Sequence, residues 1–172
     1  MIILGIDPGV ISTGYGVIKI EGGKAGLVDC GVIKIDKKHD LPERLSGIYN
    51  GVSGVCQHFK PGAVALEEIF FSKNARTAIT VGHTRGAVIL AAVHQGIEVF
   101  SYTPLQIKQT ISGYGRADKS QMQRMVQMTL RLQEVPRPDH AADALAAALC
   151  HYYIFRTTSK LGHRGSKWGE ER

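Results

Sequence analysis

Cysteine is scarce in this chain. Its three cysteines, Cys30, Cys56 and Cys150, stand far apart, are odd in number and form no CxxC pair. That spacing excludes a disulfide scaffold and a cysteine zinc site, and fits buried reduced thiols in a cytoplasmic protein. Long apolar runs are also missing. No stretch approaches the roughly 18 apolar residues that a membrane span needs, so no membrane partner is expected. The first apolar run is short and follows no basic segment, so a signal peptide is not expected. Internal repeats and clear domain boundaries are absent, and 172 residues suit one domain with a well-buried core.

Acidic residues are the minority: 15 Asp and Glu stand against 21 Lys and Arg, a formal net charge of +6. The excess is clustered. Lys108 to Arg131 carries five basic residues and one acid, and Lys73 to Arg85 three basic residues and none. Such clustering suits a polyanion such as nucleic acid.

Against that basic background the few acids stand out. Ile2-Ile3-Leu4-Gly5-Ile6-Asp7 is a continuous apolar run, the pattern of a strand buried on both faces. Asp7 closes it just before Pro8-Gly9. Ala63-Val64-Ala65-Leu66-Glu67 repeats the design, a short buried strand closing on an acid. Between them, Gly14 to Ile20 and Ala25 to Ile35 read as strands joined by the turn Glu21-Gly22-Gly23-Lys24, which gives an antiparallel meander.

Leu41, Leu45, Ile48, Val52, Val55 and Phe59 then fall at helical spacing, and Pro61-Gly62 ends that helix. A long helix from about Asn74 to Gln95, a strand Ile97 to Ser101 and a short helix opening at Pro104 follow. Beyond the glycine loop at Ser112 to Ala117 come a helix from about Asp118 to Leu132 and a last one from about Asp139 to Phe155. The expected fold is α/β, a mixed five-stranded sheet with an antiparallel meander and parallel strands, flanked by helices. The domain is expected over residues 1–156, with 157–172 a disordered basic tail.

The last helix opens Asp139-His140-Ala141-Ala142-Asp143. Spacings of three and four let Asp139, His140 and Asp143 share one face. No basic residue follows in that helix until Arg156, and its Ala and Leu positions imply close packing on the sheet. Oxygen ligands gathered from two strand ends and a helix are what Mg²⁺ accepts. Two such ions roughly 4 Å apart suit phosphodiester hydrolysis. Asp139 after Pro138 also reads as a helix N-cap, and Glu68 points away from Glu67 if the strand continues.

Four ordered motifs now resemble one family. Ile3-Leu4-Gly5-Ile6-Asp7-Pro8-Gly9 with Thr13-Gly14-Tyr15-Gly16, Ala65 to Ala75, Gly115 to Gln121 and Asp139 to Ala146 are similar to the bacterial RuvC Holliday junction resolvases. The resemblance spans about Ile2 to Tyr153. It implies an RNase H-like fold, a homodimer, and Mg²⁺-dependent paired nicking of four-way DNA junctions in recombination and repair. It also implies partnership with the RuvA–RuvB branch-migration complex. Asp7, Glu67 and Asp143 match the family's acidic residues. Many members carry Asp where this chain has His140, and others resemble it in using His. His140 is therefore assigned as the fourth catalytic and metal-site residue, as ligand or as base. Losing one negative charge there favours Mn²⁺ as a substitute ion.

By the same resemblance Phe70 stacks on a base near the junction centre, and Lys108 and Lys119 hold phosphates. Arg76 and Arg85 on the long helix read as backbone contacts or as a solvated face. Ala78, Gly82, Gly86 and Ala87 on that helix suggest a close helix contact, assigned here to the dimer, with packing against the chain's own sheet as the other reading. An actin-like or sugar-kinase ATPase shares the Ile-Asp-x-Gly pattern but needs a second half of similar size. The remaining alternatives are another RNase H-like nuclease, cutting RNA–DNA hybrids or branched DNA, and a junction-binding module without catalysis.

Overall fold

The structure is a computed structural model that describes residues 1–68 and 75–160, without the side chains of 75–77, 159 and 160. Five strands form one sheet in the order β3-β2-β1-β4-β5. They are β1 (Ile2–Asp7), β2 (Ser12–Glu21), β3 (Lys24–Lys34), β4 (Ala63–Glu67) and β5 (Glu98–Tyr102). The first three pair antiparallel, while β4 lies parallel to both β1 and β5. Gly22 and Gly23 in the β2–β3 turn both hold positive φ, 56° and 75°, which is why glycine occupies both places. The expected meander with added parallel strands is therefore the sheet observed.

Helices α1 (Leu41–Phe59) and α2 (Ala75–Val93) cover one face of the sheet. On the other lie α3 (Pro104–Ser112), α4 (Lys119–Leu130) and α5 (Asp139–Lys160). Strand alternation sorts the side chains: Leu4, Ile6, Val64 and Leu66 pack under α1 and α2, while Ile3 and Ala65 pack under α5. Asp7 and Glu67, two residues past Gly5 and Ala65, fall on the α5 side. Capping boxes start three helices, with Asp40 and Glu43 on α1, Thr103 and Gln106 on α3, and Asp118 and Gln121 on α4.

The central helix is α5, and three glycines decide how closely it lies. A Cβ at Gly5 would collide with the Ala144 carbonyl oxygen, and one at Gly14 with that of His140. At Gly16 it would sit 2.7 Å from the Leu145 side chain. From the helix side, Ala141, Ala144, Leu145, Ala147, Ala148 and Leu149 are fully buried. Small residues on both surfaces bring helix and sheet backbones together, which close packing rewards.

Two features bear on the sequence reading. α5 continues to Lys160, past the expected end of the domain at residue 156. There the Thr157 and Thr158 hydroxyls donate to the carbonyls of Tyr153 and Ile154, so these polar residues satisfy themselves within the helix. Residues 161–172 lie outside the described part. Second, Ala78 and Ala87 face inward and are buried, so those two small residues serve the helix's own packing. Among the described residues no helix is long and apolar enough to cross a membrane.

Candidate active site

Register places Asp7 opposite Gly14 at the end of the β1–β2 ladder. Because Gly14 has no side chain, the first turn of α5 settles directly above Asp7. His140 Nδ1–H then donates to Asp7 Oδ2 at 2.6 Å. Asp143, one turn further on, completes a group in which ligand atoms of Asp7, His140 and Asp143 all lie within 4.8 Å of one another. Glu67 ends the neighbouring strand, one step beyond the Ile6–Leu66 pair. It lines a cavity of about 220 Å³ together with Lys108, Lys119, Met122 and Asp143.

The electrostatics of this corner are unfavourable for carboxylates alone. Burial, helped by the nearby charges of Asp7 and Asp143, pushes the Glu67 carboxyl up to about 8, against the opposing pull of Lys108 and Arg85. Asp143 is also raised, by burial first and by Asp7. Lys119 Nζ answers part of that charge, at 3.0 Å from Asp139 Oδ2 and 3.6 Å from Asp143 Oδ2. Burial works against the Lys119 ammonium, but these two carboxylates outweigh it and raise its pKa. Asp139 is held below the ordinary carboxylate range by its hydrogen bonds from Lys119 and Gln123.

Asp139 is thereby turned toward α4, and His140 is the residue that meets Asp7. Two carboxylates and an imidazole this close, with Glu67 beside them, form a donor set that suits a divalent cation of the Mg²⁺ or Mn²⁺ kind. The raised Glu67 and Asp143 pKa values point the same way, since a cation would relieve the repulsion that raises them.

The remaining expected site residues divide. Lys108 and Lys119 stand at the cavity. Arg85 is not on the surface: only 8% of it is exposed, and its guanidinium bonds to the Glu67 carbonyl and to Ser101 Oγ. A solvated or backbone-tracking face is thus not where Arg85 lies, because the helix turns that position toward the sheet. Phe70 and the Arg76 side chain fall outside the described residues. Sequence reasoning missed the glycine seat of α5, although Gly5, Gly14 and Gly16 beside an alanine-rich helix were its visible signal.

Acids at the ends of adjacent parallel strands, closed by a helix over a mixed sheet of this order, define an RNase H-like nuclease. The sequence model of the family "Crossover junction endodeoxyribonuclease RuvC" matches residues 3–151, and the chain belongs to that family. It is 47% identical over 161 residues to a RuvC from Natranaerobius thermophilus, covering 94% of this chain and 100% of that one. A RuvC from Syntrophomonas wolfei is 47% identical over 172 residues, all of both chains. Among solved structures, Thermus thermophilus RuvC is 41% identical with a TM-score of 0.84, covering 94% of this chain and 97% of that one. The same protein in complex with a Holliday junction substrate gives 0.87 at 41% identity, covering 92% and 97%. The yeast mitochondrial Holliday junction resolvase Ydc2, at 14% identity and a TM-score of 0.68, shares the fold.

Proposed function

We propose that this chain resolves four-way DNA junctions as a homodimer, each subunit making one of two symmetric nicks by metal-dependent phosphodiester hydrolysis. The observation that carries the reading is the approach of Asp7, His140 and Asp143 to within 4.8 Å, with Glu67 on the adjoining strand. Asp7, Glu67, His140 and Asp143 would hold the metal, with Mg²⁺ as the ordinary ion and Mn²⁺ as a substitute. Bound there, such ions would supply Lewis-acid chemistry for phosphodiester hydrolysis.

The chain's own groups have definable tasks. With its Nδ1 turned to Asp7, His140 has Nε2 as the ring nitrogen that would serve as ligand or accept a proton from the attacking water. About half of the imidazole is exposed, which leaves that nitrogen open to substrate. Lys108 and Lys119 at the cavity mouth hold the phosphate and balance charge that grows at its oxygens. Phe70 is assigned to stack on an unpaired base near the junction centre.

For the dimer, the outward face of α2 offers Ile79, Leu90 and Val93, which are 62%, 52% and 54% exposed. A Cβ at Gly86 on the same helix would meet open space. This apolar face suits a two-fold partner, and a two-fold junction needs two sites at fixed separation. Partnership with RuvA–RuvB rests on family membership.

The test is cleavage of a mobile four-way junction with Mg²⁺ or Mn²⁺, with Asp7→Asn alongside and an RNA–DNA hybrid as competitor. Paired symmetric nicks that vanish in Asp7→Asn support the reading. Preferential cutting of the hybrid, or salt-sensitive binding without cleavage in either metal, counts against it.

A further inference from the structure

Among the described residues, Arg85 is the buried member of the permanently charged side chains. It sits on α2, across the sheet from α5. Leucine or methionine at that place would fill the layer without stripping water from a guanidinium, and replacing buried ions by apolar groups is often neutral or favourable. A buried arginine therefore needs an explanation in what it touches. Its Nη1 donates to the Glu67 main-chain carbonyl, and its Nη2 to Ser101 Oγ at 3.1 Å. Leu66 and Ser101 are register partners, so the guanidinium spans the ends of β4 and β5. It also stands close enough to feel the charges of both Glu68 and Glu67.

Glu67 is thus gripped from both sides of the sheet. Its side chain faces α5 with Asp143 and the lysines, while its backbone is tied from behind to α2. β4 ends at Glu67, which pairs with Tyr102 of β5, while the ladder to β1 stops one step earlier at the Ile6–Leu66 pair, so on the β1 side the residue that carries the carboxylate lies past the last register pair. Lys108 and Arg85 both favour the charged form of that carboxylate. One of them stands in the cavity, the other beneath the sheet.

We propose that Arg85 is a positioning residue: it locks the end of β4 from the α2 side and so fixes the Glu67 carboxylate relative to Asp7 and Asp143. It acts on catalysis through Glu67 and does not contact DNA. This rests on the reading of Glu67 as a metal-site residue, and the experiment separates the two. Positioning groups one step removed from a metal typically change metal affinity or activity by about 10- to 100-fold when lost.

The experiment uses the full chain with Arg85→Met, Arg85→Lys, Ser101→Ala and Glu67→Gln. Four quantities are read: Mn²⁺ binding without DNA, cleavage rate at saturating junction, junction affinity with its salt dependence, and thermal melting. For Arg85→Met the expected result is Mn²⁺ binding and saturated cleavage lowered about 10- to 100-fold, with junction affinity and salt slope unchanged. Arg85→Lys, which keeps one donor and the charge, recovers part of both. Ser101→Ala shows a smaller loss in the same direction. If Arg85→Met fails to fold, the Arg85→Lys and Ser101→Ala results decide. Weaker junction binding with a shallower salt slope and an unchanged saturated rate would make Arg85 a phosphate contact and overturn the inference. So would wild-type Mn²⁺ binding in every Arg85 and Ser101 variant, which would leave Arg85 a packing residue. Full Mn²⁺ binding and cleavage in Glu67→Gln would sink the underlying reading of Glu67. Loss in Glu67→Gln with normal Arg85 variants would sink this inference alone.

Discussion

Gly14 and His140 share one space: the absent side chain of the first is what lets the backbone of the second lie over Asp7. The His140–Asp7 hydrogen bond of 2.6 Å depends on that seat. Gly14→Ala places a methyl group against the His140 carbonyl, a backbone atom that cannot swing aside. Overpacking of this kind costs about 1–3 kcal/mol. The expected outcome is a denaturation midpoint lowered accordingly, and cleavage lost beyond what the unfolded fraction explains. Wild-type cleavage by a destabilised but folded Gly14→Ala would show that the seat is not needed for catalysis.

The imidazole should leave a mark on metal preference. An imidazole nitrogen at His140 is a softer donor than a carboxylate oxygen, which suits Mn²⁺ better than Mg²⁺. Cleavage is expected to run severalfold faster in Mn²⁺ at matched concentrations. His140→Asp should supply an oxygen ligand in its place and bring the two rates together. Equal rates in the unaltered protein would remove the idea.

Thiol chemistry checks the core independently of activity. Burial pushes the thiols of Cys56 and Cys150 up to about 11, and the thiolate is the reactive form. Ellman's reagent at pH 7.5 should therefore leave both untouched in the native protein. Cys30 is only partly buried and also raised, by burial and by Asp29, so it should react first and slowly. All three should react at once in denaturant. Rapid native labelling of Cys150 would mean that α5 is less firmly seated than its burial indicates.

What the sequence made legible followed from pattern. Two apolar runs each closing on an acid located Asp7 and Glu67 at the ends of two buried strands. Helical spacing joined His140 to Asp143. The parts that stayed hidden are those where a residue's meaning depends on a distant partner. An arginine in an amphipathic helix reads as solvent-facing, and nothing local reveals that Arg85 meets the Glu67 carbonyl 18 positions away. Gly14 looked like an ordinary strand glycine because its constraint comes from a helix more than a hundred residues later. Lys119 read as a phosphate contact, and its ion pairs to Asp139 and Asp143 appear only once α4 lies beside α5. The small residues of α2 left two readings open for a related reason: they mark close packing but not on which side, and burial assigns Ala78 and Ala87 to the inner side.

A last prediction concerns acid stability and lies away from the site. His151 is 2% exposed, its Nδ1 lies 2.7 Å from the Tyr102 hydroxyl, and Phe100 and Phe155 pack against its ring. Burial lowers its pKa to about 4. In the unfolded chain the same imidazole titrates near the ordinary value of about 6.5. The sign follows directly: between those values the unfolded chain binds a proton that the folded chain refuses. The contribution to stability is therefore fully present above about pH 6.5 and is lost as pH falls toward 4. The full loss is about 3 kcal/mol, from the size of the shift. Urea denaturation at pH 7.5, 6 and 5 should show the free energy declining over that interval. His151→Gln, uncharged throughout, should be less stable at pH 7.5 yet lose less on acidification. A His151→Gln profile parallel to that of the unaltered protein would assign the acid sensitivity to other groups.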